Sequence, residues 1–413
     1  MEYRTLGQSG CAVSTFALGT MTFGAETDEA GSRDQLDAYV EAGGNLIDIA
    51  DVYAAGVSEE LVGRWLAAQP SRKRDTVVLA TKGRFPMGPD VNDVGLSRRH
   101  LQQALDNSLR RLGVDCVDLY QVHAWDPVTP LIETMQTLDD MVRAGKVRYV
   151  GLSNFTGWQV QKAVAVAAAA GLQQPVTLQP QYNMLVREVE WEIVASCQDA
   201  GLGLLPWSPL GGGWLTGKYT RESRPAGATR LGENPERGVE AYDRRSVQER
   251  TWAVVDAVRQ VADRRGVTMA QVALSWLVDR PAVTSVILGA RTLDQLQGNL
   301  SAAGLHLDAA ETAVLDKASD PQPADYPYGG PGRDQRSREI APKPFGPSRL
   351  LLTPRVPCSR RGCLAHAAGA LLTPRVPCSC CSNGSAHTAR ASSALVTPPP
   401  PGRSGSPARR STR

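Results

Sequence analysis

The feature that most constrains this chain is a regular alternation of short apolar runs with longer helical patterns. Eight runs of five to seven residues have the composition of buried strands. The segments between them repeat apolar residues at spacings of three and four, as an amphipathic helix does. The predicted strands are 16–20, 45–49, 77–81, 117–123, 147–153, 176–180, 202–207 and 284–289, and the predicted helices are 32–43, 58–68, 97–112, 130–144, 157–170, 188–200 and 247–265, with another after 292.

One helix–strand unit shows how the alternation constrains topology. Ser97 is a suitable N-cap, the apolar residues from Leu101 to Leu112 fall on one face, and Gly113 suits the left-handed residue that ends a helix. The next apolar run, 117–123, follows within a few residues. Because parallel strands need a crossover connection, strands alternating with helices predict a parallel sheet.

Eight such units favour a closed (β/α)8 barrel, which takes about 250 residues plus insertions. An open doubly wound sheet is the alternative, but it normally carries GxGxxG after its first strand, and none occurs there. Residues 269–279 are predicted to form an extra helix, which Thr268 and Gln271 begin as a capping box. The segment 208–246 is too long for a plain connection and is predicted to be a functional loop.

Charge divides the chain into an acidic body and a basic tail. Fourteen Lys and Arg and two Asp and Glu residues lie from 331 onward, against 31 and 40 before that point. An acidic body offers no electrostatic case for binding nucleic acid. The first residues lack the apolar core of a secretory signal, and no run is long enough to span a membrane. With three widely spaced cysteines in the body, a cytoplasmic location is expected.

The character of the sequence changes near residue 329. Pro becomes frequent, Trp disappears, and LLTPRVPCS occurs identically at 351–359 and 371–379. Without helical or strand periodicity, this composition predicts a disordered extension, or a read-through product, after a barrel domain of residues 1–328. Deleting 330–413 is therefore expected to leave activity intact. Cys378, Cys380 and Cys381 match no zinc spacing, so no metal site is predicted.

Four polar residues follow the predicted strands closely, at the barrel end where catalytic residues sit. Asp48 and Lys82 end the second and third strands, His123 ends the fourth, and Tyr53 lies in the loop after Asp48. Reduction of a carbonyl needs a proton at oxygen, and a phenol is a poor acid unless it is tuned. A nearby ammonium lowers the pKa of the phenol, and an aspartate holds the ammonium in place. A histidine can orient the carbonyl oxygen.

The sequence around these residues resembles the aldo-keto reductase family. The resemblance covers about residues 1–325 in order and at family spacing, and the branch it resembles is an actinobacterial one that includes reductases of nucleotide-linked keto-deoxysugars. The matching segments are ALGTMTFG (17–24), DIADVY (48–53), ATK (80–82), QVH (121–123), GLSNF (151–155), QPQYN (179–183), WSPLGGGWLTGKY (207–219) and LGARTLDQLQGNL (288–300). The branch is suggested by residues 84–101, 123–127 and 228–245.

The resemblance implies a (β/α)8 TIM barrel with an N-terminal hairpin, a long cofactor-covering loop and extra C-terminal helices. It makes Tyr53 the general acid, Lys82 and Asp48 its tuning pair, and His123 the group that orients the substrate. Members that reduce steroid double bonds carry Glu in place of the histidine, so His123 favours aldehyde or ketone reduction.

The resemblance also implies an NADPH site. Ser153, Asn154 and Gln179 would hold the nicotinamide carboxamide and Trp207 would stack on its ring. The other residues expected at the cofactor are Gly19, Thr20, Met21, Asp48, Ser208, Pro209, Leu210, Gly211 and Lys218. A P-loop interpretation of Gly212–Lys218 fails because Tyr219 follows in place of Ser or Thr.

The motif near residue 291 has a physical argument of its own. Thr292 and Gln295 predict a helix start just after Arg291, and a helix N-terminus attracts phosphate. Gly289, Arg291, Gln295 and Asn299 are therefore predicted to hold the adenosine 2'-phosphate and adenine, which favours NADPH. Gly289 replaces a Lys that some members carry, so the strictness of the preference is left open.

Aromatic residues in the loops at the active face, Phe23, Phe85, Trp125 and Trp214, are predicted to line the substrate pocket. Trp65, Trp191, Trp252 and Trp276 fall at helical positions and are predicted to be core, whereas His100 and His306 are expected at the surface. The expected partner is a small carbonyl compound, with oligomeric state left open. Two alternatives remain: a keto-deoxysugar reductase, and a regulatory subunit that binds cofactor with little turnover, as some relatives on potassium channels do.

Overall fold

All eight predicted strands are present in the computed structural model, which describes residues 1–222, 224–227, 230–233, 240–323 and 325–337. Two further short strands form a hairpin at the start of the chain. The strands are β1 Tyr3–Thr5, β2 Ala12–Ser14, β3 Phe16–Gly19, β4 Leu46–Asp48, β5 Val78–Gly83, β6 Val117–Val122, β7 Val147–Ser153, β8 Thr177–Gln179, β9 Gly203–Leu204 and β10 Val286–Gly289.

The eight later strands form one parallel sheet in which neighbours along the chain are neighbours in space. β10 pairs with β3, and β9 reaches back to the segment before β10 through a parallel bridge between Leu204 and Val283. Backbone hydrogen bonds from Leu204 N to Ala282 O and from Ile287 N to Pro206 O join the same two edges. This connection closes the sheet, so the fold is the predicted (β/α)8 barrel and not an open sheet.

The hairpin β1–β2 covers the N-terminal end of the barrel. Its residues Leu6 and Val13 are fully buried and pack in one apolar cluster with inward residues of the barrel, among them Leu46 and Leu119. Gln8 N donates to Gly201 O, just before β9 begins. One barrel end is therefore filled with apolar side chains, which leaves the opposite end for polar ones.

The helices surround the sheet and alternate with its strands. Ser97 caps the helix that begins at Arg98, and Gly113 ends it at φ 65°, as predicted. Thr268 and Gln271 form the predicted capping box. The α-helices are α1 Glu29–Glu41, α2 Val57–Ala67, α3 Ser71–Arg74, α4 Arg98–Leu112, α5 Leu131–Arg143, α6 Gly157–Ala169, α7 Ile193–Ala200, α8 Arg230–Glu233, α9 Tyr242–Ser246, α10 Glu249–Arg265, α11 Met269–Val278, α12 Leu293–Leu300, α13 Ala309–Ser319 and α14 Gly330–Arg336.

Two predicted elements differ in detail. The helix predicted over 188–200 is a short 3₁₀ turn, Glu188–Glu190, followed by α7, because Glu192 has the non-helical φ of −141°. Helix α14 lies beyond the predicted domain boundary at 328, in a segment with no apolar periodicity. Its Pro331 stands in the first turn, where a missing N–H is harmless. The repeat at 351–359 and 371–379 and the tail cysteines lie outside the described residues, so the division into barrel and tail stays a prediction.

Two predictions about burial were wrong, because His100 was expected at the surface and Trp191 in the core. His100 is 4% exposed, since it lies on the inner face of α4, whereas Trp191 is 36% exposed and stacks on Tyr328. Trp65, Trp252 and Trp276 are buried as predicted. No helix in the described part of the chain is long and apolar enough to cross a membrane.

Candidate active site

The polar residues at the open barrel end are placed by strand periodicity. Side chains two residues apart on a strand share a face. Leu46, Ala80 and Leu119 belong to the apolar cluster inside the barrel, so Asp48, Lys82 and Gln121 also face inward, one layer nearer the C-terminal end. His123 follows Gln121 at the same spacing, just after β6 ends. Three strands thus deliver three of the four predicted catalytic residues to one place.

Lys82 is the centre of this polar layer. Its Nζ lies 2.7 Å from Asp48 Oδ2 and donates to Ile49 O at 2.7 Å, and the side chain has no exposed surface. Burial lowers the pKa of Lys82, but the negative charge of Asp48 and the contact with Tyr53 outweigh it, so the pKa is above its usual value. The lysine is therefore a fixed cation at neutral pH.

Asp48 is held from its other side by two amides. Gln179 Nε2 donates to Asp48 Oδ1 at 2.8 Å, and Gln121 Nε2 lies 3.4 Å from the same oxygen. Sequence reasoning placed Gln179 at the cofactor and did not single out Gln121. The signal was available, because Gln121 occupies the inward position between Leu119 and His123. The two amides orient the carboxylate toward Lys82.

Tyr53 reaches the polar layer from the loop after β4. Its Oη lies 3.4 Å from Lys82 Nζ. The following residues, Ala54 and Ala55, have φ of 47° and 54°. Such left-handed conformations are strained in residues with a Cβ, and strain of this kind concentrates at functional sites. The backbone therefore turns sharply just after the phenol.

The acidity of Tyr53 differs from the expectation. Burial raises the pKa of Tyr53, and this effect exceeds the lowering by the Lys82 charge, so the pKa is above its usual value. The sequence argument considered only the ammonium and not the loss of water around the phenol. Lys82 still acts in the predicted direction, but it offsets burial without reversing it.

His123 completes the set from β6. Its ring centroid lies 6.0 Å from that of Tyr53 and 4.7 Å from that of Phe85, both edge-on. Burial, with the positive charges of Lys82 and Arg84, lowers the pKa of His123 to about 2. The imidazole is therefore neutral. Its Nδ1 is buried without a hydrogen-bond partner among the described residues.

A second group of polar residues lies on the neighbouring strands β7 to β9. Ser153 Oγ donates to Gln179 O at 2.9 Å, and Asn154 Nδ2 donates to His123 O at 3.0 Å. Trp207 Nε1 donates to Asn154 Oδ1 at 3.1 Å. Asn154 and Ser208 both have φ of 55°. This group is thus linked by hydrogen bonds to the four catalytic candidates.

Helix α12 begins at the same barrel end, directly after β10. Thr292 Oγ1 accepts from Gln295 N, which is the predicted cap. The Gln295 side chain bonds Arg291 N at 3.0 Å and so does not complete a reciprocal box with Thr292. Arg291 stands immediately before the helix. A cation beside a helix N-terminus is an arrangement that suits phosphate.

The aldo/keto reductase family profile matches residues 15–320 of the chain. The chain belongs to the aldo/keto reductase family. It is therefore an NAD(P)H-dependent oxidoreductase, and the family's activity is the reduction of carbonyl groups.

Three relatives show the range of proteins to which this aldo/keto reductase is similar. It is 36% identical over 325 residues to YrpG, an uncharacterized oxidoreductase of Bacillus subtilis, with 76% of this chain and 95% of the relative covered. It is 36% identical to a probable voltage-gated potassium channel subunit beta of Arabidopsis thaliana, with 77% and 95% covered. It is 34% identical to versiconal hemiacetal acetate reductase of Aspergillus parasiticus, with 77% and 96% covered.

The barrel mouth of the reductase fits a nicotinamide dinucleotide. Amide and hydroxyl groups from Ser153, Asn154 and Gln179 lie at consecutive strand ends beside the four catalytic candidates, and an N-terminus with an arginine lies at α12. Of the other predicted contacts, Gly19 and Thr20 are buried at the end of β3, where Thr20 Oγ1 bonds Asp48 O. Met21, Lys218 and Gly289 are exposed, Trp207, Ser208 and Leu210 are partly exposed, and Pro209, Gly211 and Asn299 are buried.

The predicted substrate aromatics divide into two pairs. Phe85 contacts His123, and Trp125 lies edge-on to Phe155 and Trp158. Trp158 is 56% exposed beside Trp125 and was missed, because it stands in the first turn of α6 and not in a loop.

Phe23 and Trp214, by contrast, have no exposed surface in this structure. Trp214 stacks on Tyr242 with ring centroids 5.3 Å apart, and its Nε1 donates to Glu240 O. The prediction that Phe23 and Trp214 line the pocket is therefore not supported by their position. Trp214 instead forms the interior of the long loop, since that loop must bury its own apolar residues to fold back on the barrel.

Proposed function

We propose that the chain reduces an aldehyde or ketone to the alcohol with NADPH, and that Tyr53 is the general acid. The observation that carries this proposal is the position of the buried Lys82 Nζ between Asp48 Oδ2, at 2.7 Å, and Tyr53 Oη, at 3.4 Å. A fixed cation beside a phenol stabilises the negative charge that develops as the phenol gives up its proton. The resident cofactor supplies the hydride when it is bound.

Each residue then has a defined task. The neutral imidazole of His123 lies beside the Tyr53 ring and can donate a hydrogen bond to the carbonyl oxygen without competing as an acid. Tyr53 donates the proton to that oxygen. Gln121 and Gln179 hold Asp48, which keeps Lys82 in place. Phe85 and Trp125 supply the apolar walls that exclude water from the carbonyl.

The proposed preference for NADPH over NADH is based on the residues at the N-terminus of α12. Arg291 precedes the helix that Thr292 caps, and an arginine can form a bidentate pair with the 2'-phosphate that NADH lacks. Gln295 and Asn299 lie on that same helix. This arrangement supports a preference for NADPH over NADH. It does so although Gly289 stands where some family members carry a lysine.

The test is NADPH oxidation in the presence of 4-nitrobenzaldehyde, with Tyr53→Phe as the matched control. Loss of a general acid is expected to lower kcat by about 10²-fold or more, whereas the variant should still bind NADPH, as followed by quenching of tryptophan fluorescence. Equal turnover by the two proteins would contradict the role of Tyr53. NADPH binding without turnover by the unmodified protein would favour the alternative of a regulatory subunit, which the Arabidopsis relative's name suggests.

The narrower proposal of a nucleotide-linked keto-deoxysugar substrate gains no support from the described residues. It came from the segments 84–101, 123–127 and 228–245, and residues 228–229 and 234–239 of the arginine-rich last segment lie outside the described part. Within that part, Arg245 is paired with Glu240 at 2.5 Å.

A further inference from the structure

A buried carboxyl lies directly behind the catalytic residues and has no role in the mechanism above. Asp51 follows Asp48 in the same loop, has no exposed surface, and its carboxylate oxygens have no side-chain hydrogen-bond partner among the described residues. Its backbone N–H donates to Lys82 O at 3.1 Å. The loop that carries Tyr53 is thus tied to the strand that carries Lys82 at Asp51.

A second unpartnered polar group faces the same space. Tyr120 on β6 is fully buried, and its Oη has no partner among the described residues. A Cβ placed on Gly83 would overlap Tyr120 Oη and come within 3.4 Å of Asp51 Oδ2. Because Gly83 has no Cβ, the Tyr120 hydroxyl fits against its backbone on the outer side of β5, and the Asp51 carboxyl lies beside the same glycine. Two buried unsatisfied polar groups beside one glycine are the usual setting of an ordered water.

The charges around this space are already paired. Arg111 on α4 forms an ion pair with Glu59 on α2 at 2.7 Å, and Lys82 pairs with Asp48. No cation of the described residues is left in contact with Asp51. Burial, with the negative charge of Glu59, raises the pKa of Asp51 to about 7, against a hydrogen bond from the Val52 backbone and the charges of Arg111 and Lys82. Because an unpaired buried carboxylate is strongly disfavoured, Asp51 is a group that keeps its proton up to neutral pH.

We propose that Asp51 is a positioning residue for the Lys82–Tyr53 pair, and that it shares one buried water molecule with Tyr120 above Gly83. As the acid, Asp51 donates to this water and adds no charge to the loop. As the carboxylate, it would place a negative charge two residues from Tyr53. The kinetic consequence rests on the proposed reductase function. The titratable and charged groups that face this space or act on it are Asp48, Glu59, Lys82, Asp106, Arg111 and Tyr120.

A negative charge on Asp51 is expected to slow proton donation by Tyr53. Negative charge develops on Tyr53 as it donates its proton, and an ionised Asp51 disfavours that charge, whereas Lys82 favours it. The reductase should therefore work faster when Asp51 is neutral. Asparagine at this position has nearly the same shape, can still donate to the water, and cannot ionise.

The kinetic test compares the wild-type protein with Asp51→Asn from about pH 6 to about pH 8.5, with NADPH and 4-nitrobenzaldehyde. The wild type is expected to lose roughly five- to tenfold in kcat across this range, whereas the variant keeps its low-pH value. Asp37→Asn is the matched control, since Asp37 accepts from Trp65 and Lys73 away from the site and should leave the profile unchanged. An identical decline in the wild type and in Asp51→Asn would overturn the proposal.

Two further measurements need no activity. Infrared difference spectra at about pH 6 should show the band of a protonated carboxyl that is absent from Asp51→Asn. A crystal structure of the full chain should show a water within hydrogen-bond distance of Asp51 and Tyr120, and Tyr120→Phe should weaken its occupancy. A missing carboxyl band or a dry space would overturn the proposal. If the protein proves inactive as a reductase, the infrared and crystallographic results still decide whether Asp51 is protonated and shares a water with Tyr120. Failure of the Asp51 proposal can therefore be told apart from failure of the proposed reductase function.

Discussion

Lys82 Nζ lies 2.7 Å from Asp48 Oδ2 in a layer that solvent does not reach, and the two side chains come from adjacent strands. The pair is possible because the barrel brings inward positions of β4 and β5 to the same height. Neither charge has water to stabilise it, so each depends on the other and on the amides of Gln121 and Gln179.

The first prediction concerns this dependence. Lys82→Met leaves Asp48 buried without its cation, so the free energy of unfolding is expected to fall by about 3–5 kcal/mol. Turnover with 4-nitrobenzaldehyde should fall by about 10²-fold or more, since Tyr53 loses its cation. Denaturant unfolding and steady-state kinetics measure the two effects.

The control for that experiment is Asp48→Asn combined with Lys82→Met, which removes both charges. The double variant should recover most of the lost stability while its kcat stays low. A single Lys82→Met variant as stable as the wild type would show that the ion pair does not hold this end of the barrel together.

A second prediction follows from the neutral imidazole of His123. Its pKa is lowered to about 2 in the folded protein, so below the unfolded value of about 6.5 the unfolded state binds a proton that the folded state does not. Stability therefore falls as the pH drops below about 6.5, by up to about 1.4 kcal/mol per pH unit from this residue.

Replacing the histidine isolates that contribution. His123→Gln should lose less free energy of unfolding than the wild type between about pH 6.5 and about pH 4.5, as measured by urea denaturation. Parallel pH curves for the two proteins would mean that His123 titrates normally in the folded state.

The third prediction tests the phosphate site. Arg291→Met is expected to raise KM for NADPH by about tenfold or more and to leave KM for NADH nearly unchanged, because only NADPH carries the 2'-phosphate. Arg33→Met, on the outer surface of α1, is a control that changes total charge equally. Equal increases in KM for both cofactors would place Arg291 away from the 2'-phosphate.

The fourth prediction separates the two kinds of aromatic residue. Trp214→Ala should lower the free energy of unfolding by about 3–5 kcal/mol, since it empties the space among Tyr219, Tyr242 and Trp252. Trp125→Ala should instead raise KM for the carbonyl substrate with a smaller loss of stability. Thermal melts and steady-state kinetics measure both effects. A raised KM with little loss of stability in Trp214→Ala would indicate that Trp214 lines the substrate pocket.

The fifth prediction concerns the C-terminal segment. Removing residues 338–413 is expected to leave Tm and kcat/KM unchanged, because the eight barrel strands and the catalytic candidates all lie before residue 290. The longer deletion of 330–413, which also removes α14, is expected to keep kcat/KM as well. Lower kcat/KM in the shorter deletion would show that the tail contributes to activity.

Much of the barrel was predictable because local patterns and global fold agree. Each of the eight barrel strands begins within two residues of its predicted start, and caps such as Ser97 and Thr268 bond as their residue types suggest. The errors fall where several elements pack together. His100 was expected at the surface although it lies on the buried face of α4, and Trp191 was expected in the core although it is 36% exposed.

The sequence by itself determined the order of strands and helices, the family resemblance and the spacing that sets Asp48, Lys82 and His123 at strand ends, because these depend on periodicities of two and of three to four residues. Only the tertiary structure decided what surrounds each side chain. The raised pKa of Tyr53, the amide of Gln121 on Asp48, and the approach of Asp51 and Tyr120 to Gly83 all arise between strands and helices distant in sequence. Burial and charge there depend on neighbours that no local pattern specifies.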